Sequence, residues 1–265
     1  MKKLLSLFLL SFFMLAPFSH NAHARIDIIP RKIIIENRER SGELTILNLT
    51  NEQSTFRMDI LSFKQDEQGI YETLESPLNP AFDPESIVRF SPRQFTLKAG
   101  GRQKVRISLR KPANLPEGEY RFHIKALRLA QPSENLKNGI YMHANIGVTI
   151  PVVIRHGQTE AQATISDVKL MSPQKTEKNR PELHLQINRQ GTESAVGKLE
   201  VFWKPENSQE KKIGNMGHMN VFTDISKRFV KVPLTEMPYG NGTITVRYLK
   251  ELEEGAIYDE VSLQR

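Results

Sequence analysis

The feature that most constrains this fold is a long apolar alternation in the middle of the chain, YMHANIGVTIPVVIR at Tyr141–Arg155. Every second residue is apolar, so an extended strand would carry all of them on one face. These residues are Met142, Ala144, Ile146, Val148, Ile150, Val152 and Ile154. Such a strand would span roughly 50 Å. A typical strand is much shorter, since it has only about 5–6 residues. The sequence therefore predicts a strand that can be offered to another protein as well as to its own core.

The chain around this run is predicted to be all β. Seven short apolar or alternating runs are separated by turns rich in Gly, Pro and Asn, with no helical periodicity between them. The runs are Lys32–Ile35, Glu43–Leu49, Thr55–Phe63, Gln94–Leu97, Lys104–Leu109, Tyr120–Leu129 and Met142–Ile154. This number and spacing of strands indicate an immunoglobulin-like β-sandwich over residues 25–156, with a core formed by one sheet packed on another.

A second β pattern follows a polar segment that begins after His156. Its runs are Ala163–Leu170, Leu183–Asn188, Gly197–Trp203, Phe229–Pro233, Gly242–Leu249 and Ala256–Leu263. Loop residues separate them, and no internal repeat relates this half to the first. We predict two β-sandwich domains in series, residues 25–156 and 157–265.

The first 24 residues are predicted to be a cleaved signal peptide. A short basic start at Met1–Lys3 precedes an apolar run, and Ala22–Ala24 forms an A-x-A cleavage signal. A membrane anchor is the alternative, but Ser11 and Pro17 interrupt a run that is already short for a membrane span. We expect cleavage after Ala24 and export of the remaining chain without stable membrane insertion. The chain has no cysteine, so its stability outside the cytoplasm must come from buried cores and backbone pairing.

The charge and motif content argue against a nucleic-acid-binding protein and against an enzyme. The formal net charge is +7, but the basic residues are scattered and no nucleic-acid motif accompanies them. The chain lacks the nucleophile, zinc-hydrolase and phosphate-loop motifs that would indicate catalysis, and no cofactor is implied. Met216, His218 and Met219 could form a soft-metal site, although an ordinary glycine-rich loop is the favoured interpretation.

Three segments of the first domain resemble one family, the PapD-like periplasmic chaperones of pilus assembly. In order, they are Pro30–Glu36 with Arg38–Asn48; Phe90–Arg93, Leu97–Gly100, Val105–Ile107 and Leu115–Arg121; and Ile150–Arg155. Their order and spacing are similar to those of that family across residues 25–156. The second domain is compatible with the family through its β character alone.

The resemblance implies a non-enzymatic chaperone with two immunoglobulin-like domains set at an angle around a cleft. Proteins of this family bind pilus subunits that lack their last β-strand, lend them a strand and deliver them to an outer-membrane usher. Strand addition of this kind gives affinity through main-chain hydrogen bonds and specificity through alternate side chains. The resemblance thus implies a periplasmic location and no cofactor.

In that family the last strand of the first domain is the lent strand, which here is Tyr141–Arg155. The resemblance implies that Met142, Ala144, Ile146 and Val148 fill the groove of the subunit. The alternative, that this face packs only into the core of its own domain, stays open. A β-bulge within the strand would also exchange its two faces from Val148 onward.

The family also binds the terminal carboxylate of the subunit with basic residues in the cleft. The resemblance places one of them at Lys32, or at Arg31 if the alignment shifts by one residue. A second family lysine aligns with Pro151, which carries no charge, so this chain resembles a non-classical branch.

A replacement cation could come from Arg121 or His123, which lie on the strand expected beside the lent strand. Arg121 suits a carboxylate because guanidinium binds it in a bidentate manner. The alternative for Arg121 and Lys32 is a solvated side chain or an internal salt bridge. Arg106 and Arg155 are candidates for holding the two domains together.

A competing hypothesis is an exported structural or adhesive β-sandwich protein of a pilus or cell surface. Such a subunit would need a short N-terminal donor segment and would lack its last strand, and neither is evident in this sequence.

Overall fold

A computed structural model describes residues 26–130, 145–251 and 253–265. Within these ranges the strands form two β-sandwiches, one at residues 26–156 and the other at 161–264. The predicted all-β class with two sandwiches is confirmed. None of the helices in the described part of the chain is both long and apolar enough to cross a membrane.

In the part of the chain that the structure describes, the first sandwich contains ten strands and one short helix. They are β1 Ile26–Ile29, β2 Ile33–Glu36, β3 Ser41–Asn48, β4 Ser54–Gln65, β5 Tyr71–Leu74, α1 Pro84–Ile87, β6 Val88–Ser91, β7 Gln94–Leu97, β8 Arg102–Leu109, β9 Gly118–Arg128 and β10 Ile146–His156. One sheet has the order β1-β3-β8-β6. The other has the order β2-β10-β9-β4-β5, and β7 pairs with β4.

The core of this sandwich forms because its strands alternate apolar and polar residues. On β8, for example, Val105, Ile107 and Leu109 are buried while the two residues between them are exposed. At the start of β9, the Tyr120 hydroxyl donates to the carbonyl oxygen of Pro116 at 2.7 Å. This bond resembles the tyrosine corner of immunoglobulin-like folds.

Over its described residues, the second sandwich contains seven strands. They are β11 Ala161–Met171, β12 Glu182–Gly191, β13 Ala195–Pro205, β14 Lys211–Val221, β15 Lys227–Pro233, β16 Gly242–Lys250 and β17 Ile257–Gln264. The sheets have the orders β11-β12-β15 and β14-β13-β16-β17, and a 3₁₀ helix at Pro173–Lys175 connects β11 with β12. The Tyr248 ring is fully buried in this core, and its hydroxyl bonds to the carbonyl oxygens of Ala195 and Met219.

One sequence interpretation is wrong, because the segment Gly214–Met219 is not a loop. It lies within β14, where Gly214 is packed so closely that an added Cβ would lie 2.9 Å from a methyl carbon of Leu234. The pairing with β13 shifts register between Met216 and Met219, and His218 there has a φ of 52°. Glycines and this bulge interrupt the alternation by which a strand is recognised in sequence.

Candidate functional site

Strand β10, the described part of the predicted lent strand, pairs with β9 along its whole length. The antiparallel register runs without a shift from Ile146 opposite Arg128 to His156 opposite Gly118. The expected neighbour of the strand is therefore confirmed. No bulge exchanges the faces of β10 between Ile146 and His156.

The other side of β10 is only partly paired. Strand β2 runs parallel to β10 and pairs with Val152–Arg155 alone. The preceding strand, β1, belongs to the opposite sheet, so the chain crosses between sheets before β2 begins. Within the described ranges, Ile146–Pro151 consequently has a ladder partner on one side only, and it forms a free edge of about 20 Å.

The backbone groups on this free edge follow from the alternation of the strand. The Arg155 carbonyl oxygen accepts a bond from the Asn37 N–H on the β2 side, at 2.9 Å. Residues of the same parity, namely Gly147, Thr149 and Pro151, therefore direct their backbone groups to the free edge. Pro151 lacks an N–H, and this orientation lets a proline lie in β10 without breaking the ladder to β9.

The side chains of β10 change from buried to exposed toward its first residue. Ile150, Val152 and Ile154 lie in the core of the first sandwich, and Val148 packs against that core from a half-buried position. Ile146 is 37% exposed. The alternative, that this face packs into the core of its own domain, therefore holds for the second half of the strand. Two of the predicted groove-filling residues, Met142 and Ala144, lie outside the described residues.

An apolar groove runs beside the free edge. It has a volume of about 510 Å³ and lies between β1 and β10. Its lining comprises Ile26, Asp27, Ile28, Arg31, Leu49, Val148, Thr149 and Ile150. Ile29 and Leu49 are both more than half exposed at this end of the sandwich. Arg31, the alternative anchor residue, is 80% exposed in its side chain and lies 3.5 Å from Asp27.

Lys32 lies at the point where the free edge ends. It directly precedes β2, whose first residue, Ile33, pairs with Val152. Its ammonium group donates to the Glu251 carboxylate of the second sandwich at 2.7 Å, and the Lys32 side chain keeps 20% of its surface exposed. The internal salt bridge that the sequence left open for Lys32 is present.

Arg121 is buried between the two sandwiches. Its Nη2 atom bonds to both carboxylate oxygens of Asp224, at 3.0 and 3.1 Å, and its side chain is 1% exposed. The guanidinium carbon lies 3.9 Å from the centre of the Phe222 ring. Its Nε and Nη1 atoms have no hydrogen-bond partner among the described residues. In this arrangement Arg121 joins the domains and offers no surface to a ligand from outside, so its direct carboxylate role stays a prediction.

His123 is buried beside Arg121, in an aromatic cluster. Its ring centre lies 4.7 Å from that of Phe63 and 5.9 Å from that of Tyr71, both in edge-on contact. Burial lowers the pKa of His123 to about 3, and the neighbouring Arg121 charge adds to this effect. The imidazole is therefore neutral at physiological pH. In this form it can accept or donate a hydrogen bond, but it cannot provide a positive charge for a carboxylate.

A second buried charge cluster centres on Arg155. Its guanidinium lies 3.5 Å from Glu119, 3.1 Å from Glu36 and 2.5 Å from Glu193 of the second sandwich. Burial raises the pKa of Glu119, although bonds from Ser194 and the Arg155 charge oppose that rise. The hypothesis that Arg155 holds the domains together agrees with these contacts.

Arg106, the other candidate for a domain-bridging role, lies elsewhere. It is an exposed residue of β8 in the opposite sheet, where it pairs with Glu43 of β3 and Ser91 of β6. Its side chain therefore takes no part in the cleft, and that candidate is wrong.

Sequence reasoning missed the hairpin of β4 and β5, which reaches the second sandwich. The Gln65 backbone N–H donates to the Asp224 carboxylate at 2.6 Å, and the Gln65 side chain accepts from the Phe222 N–H. At the tip, the Glu67 carbonyl accepts from the Phe229 N–H at 2.7 Å. The exposed residues of β5 give only a weak sequence signal, and its contacts depend on distant partners.

The three soft-metal candidates diverge in the structure. Met219 is buried in the second core, whereas the His218 side chain is 88% exposed. Met216 is half-buried against the same core. This arrangement does not favour a shared metal site.

Comparisons with known proteins give matches at the level of solved structures only. No family model matches the chain, and no curated protein matches it. The chain is similar to the YadV chaperone, with a TM-score of 0.47 and 10% identity over 91% of this chain and 100% of that one. It is also similar to the Class 5 fimbriae chaperone CfaA, with a TM-score of 0.45 and 11% identity over 91% and 98%. The CupB2 chaperone of Pseudomonas aeruginosa gives a TM-score of 0.42 and 11% identity over 90% and 99%.

Proposed function

We propose that this protein is a periplasmic chaperone of pilus assembly that binds pilus subunits through the free edge of β10. It lends this strand to a subunit that lacks its own last strand and passes the subunit to an outer-membrane usher. The predicted signal peptide, residues 1–24, supports export. The function requires no cofactor and no catalytic step.

The observation that carries this proposal is the free edge at Ile146–Pro151, which ends at Lys32. Strand β2 runs parallel to β10 and takes over the pairing at Val152. A subunit strand that continues this parallel pairing back along Ile146–Pro151 would point its carboxyl end toward the start of β2. Its terminal carboxylate would then arrive beside the Lys32 ammonium, so one geometry accounts for both the strand and the anchor.

Physical chemistry gives both partners a reason to pair. A sandwich without its last strand exposes an apolar groove and a row of unpaired backbone groups, which promotes aggregation. The free edge offers the backbone N–H and carbonyl groups of Gly147 and Thr149. Ile146 and Val148 supply apolar side chains at the spacing of a β-strand, and the sequence continues this alternation to Met142 and Ala144, which lie outside the described residues.

Lys32 is the carboxylate anchor in this proposal. Its side chain is partly exposed at the end of the edge, and a charge-assisted bond to a carboxylate is stronger than a neutral one. Arg121 lies deeper in the cleft, where its bonds to Asp224 join the two sandwiches, and His123 is buried beside it. Arg121 would bind the subunit directly only if the contact with Asp224 opened.

The test is recovery of a candidate pilus subunit from periplasmic extracts when this subunit is co-expressed as the client. We expect Lys32→Met to reduce recovery by about tenfold, since it removes a charge-assisted bond while keeping most of the stem. Lys104→Met is the matched control, because Lys104 is a 78%-exposed lysine on the opposite sheet. Unchanged recovery with Lys32→Met would remove Lys32 from the mechanism.

The structural or adhesive pilus protein remains the competing hypothesis. A protein of that kind would itself need a donated strand, and it would be incorporated into fibres. In the first sandwich, β10 is already paired with β9 over the described residues. Finding this chain in purified pili, with no subunit bound to it in periplasmic extracts, would favour that alternative.

A further inference from the structure

Four ion pairs connect the two sandwiches in the described part of the chain, and the pair of Lys32 with Glu251 differs from the others. Arg121–Asp224 and Arg155–Glu193 are largely buried, and Lys227–Glu67 is well exposed at the hairpin tip. Lys32–Glu251 is intermediate, with 20% and 34% of the two side chains exposed. It therefore combines a short bond with access from solvent.

Glu251 is held in place by its own domain. It follows β16 directly, and its backbone N–H donates to the Val196 carbonyl at 3.0 Å. Its other carboxylate oxygen lies 4.0 Å from the His218 ring, which the bulge of β14 brings to this corner. Moving the carboxylate away from Lys32 would thus require a change of side-chain rotamer and no change in β16.

The chemistry of this pair matches that of the anchor proposed above. Glu251 presents a carboxylate to the same ammonium group that would bind the terminal carboxylate of a subunit. If one carboxylate replaces the other, the Lys32 ammonium group has a carboxylate partner both in the free protein and in the complex. Neither state then contains an unpaired charge in the cleft. The contribution of Lys32 to the binding free energy would then be the difference between the free energies of these two ion pairs.

We propose that Glu251 is an internal competitor that occupies the carboxylate site of Lys32 in the free protein and is displaced by the terminal carboxylate of the subunit. This inference rests on the proposed function and adds a residue that sets the affinity of that site. Glu251 thereby favours clients whose terminus reaches Lys32 in full register, because a terminus that stops short gains no anchor and leaves the internal pair intact.

The experiment is a competition for the co-expressed pilus subunit between the full-length chain and its Glu251→Gln variant, each carrying a different affinity tag. Glutamine keeps the shape and an acceptor oxygen but removes the competing charge. We expect the variant to retain about two- to fivefold more subunit than the unaltered chain, the range of a partly exposed ion pair. A subunit extended by two glycines at its C-terminus should abolish this advantage, since its carboxylate is displaced from Lys32.

The matched control is Glu253→Gln, which removes the same charge from the same turn. Glu253 is paired with Lys250 and is not in contact with Lys32. Equal retention by Glu251→Gln and the unaltered chain would overturn the proposal, as would lower retention by the variant, which would make the pair a structural contact. If no form of the chain retained any subunit, the proposed function itself would fail.

Discussion

At the scale of single residues, His123 couples the stability of the protein to pH. Its ring is 5% exposed and lies among Phe63, Tyr71 and the Arg121 guanidinium. The folded pKa is about 3, below the ordinary value of 6.5, because burial and the Arg121 charge disfavour the imidazolium. Between these two values the unfolded chain takes up a proton and the folded chain does not. Stability is therefore lost as the pH falls through this window.

We expect the free energy of unfolding to fall by up to about 2 kcal/mol between pH 7 and pH 5 on account of His123. The His123→Phe variant should lack this part of the acid slope, since a phenyl ring can occupy the aromatic cluster without titrating. Urea unfolding at the two pH values measures the difference. His218→Asn is the control, because the His218 side chain is 88% exposed and Asn tolerates its positive φ. An identical slope in His123→Phe and the unaltered chain would contradict the expectation.

The sequence predicted residues whose role is local better than residues whose role depends on distant contacts. Lys32 could be selected because the short segment Pro30–Glu36 resembles the opening strand of a known family, in which a basic residue aligns with Lys32. The burial of Arg121 could not be predicted, because its partner Asp224 lies 103 positions away in the second sandwich. Asn48 is intermediate. The sequence marks it as the end of a strand, but its side chain also bonds to the carbonyls of Leu97 and Lys98.

At the scale of secondary-structure elements, the free edge of β10 can be tested one N–H at a time. Thr149→Pro removes an N–H that points away from β9, so the ladder to β9 should be preserved. We expect the melting temperature to change little and the recovery of the co-expressed subunit to fall about tenfold. The exposed Thr149 side chain is not itself required in this proposal.

Thr149→Ala is the matched control for this experiment, because it removes the side chain and keeps the N–H. Recovery equal to that of the unaltered chain is expected for the alanine variant. If the proline variant bound the subunit as well as the alanine variant does, main-chain pairing at this edge would be ruled out as the source of affinity.

The strands that could be predicted from sequence are those with a regular apolar face. The run Lys104–Leu109 lies within β8, and the run Gly197–Trp203 lies within β13. Strands β5 and β14 could not be predicted, because β5 is mostly exposed and glycines interrupt β14. Both are specified by the strands and loops that they pair with, and local alternation carries no information about such partners.

At the scale of the whole molecule, the two sandwiches have separate hydrophobic cores, and ion pairs and hydrogen bonds are among the contacts between them. The first core contains residues from Ile26 to Ile154, and the second contains residues from Ala163 to Tyr248. Alternating patterns predict two such cores because each pattern is continuous within its own half. The relation between the domains depends on a few charged side chains, which have no pattern in the sequence.

Asp224 is one of the residues that join the two sandwiches. It accepts bonds from the Arg121 guanidinium and from the Gln65 backbone N–H, so it connects β9 and the β4–β5 hairpin to the second sandwich. The Asp224→Ala variant would leave the buried Arg121 guanidinium bonded to the Phe63 carbonyl but without a carboxylate beside it, and the loss of one partner of a buried ion pair typically costs about 3–5 kcal/mol. We expect a lower melting temperature and, in calorimetry, separate unfolding of the two sandwiches in place of one joint transition.

The replacement of both partners distinguishes a lost ion pair from a lost packing contact. Arg121→Met combined with Asp224→Leu removes both charges and keeps similar volume, so much of the stability should return. Because Lys32 and Glu251 meet across the same cleft, the single variant should also lose recovery of the co-expressed subunit, and the double variant should regain part of it. If Asp224→Ala melted in one transition at an unchanged temperature, the buried pair would not be what holds the two sandwiches together, and the orientation of Lys32 would need another cause.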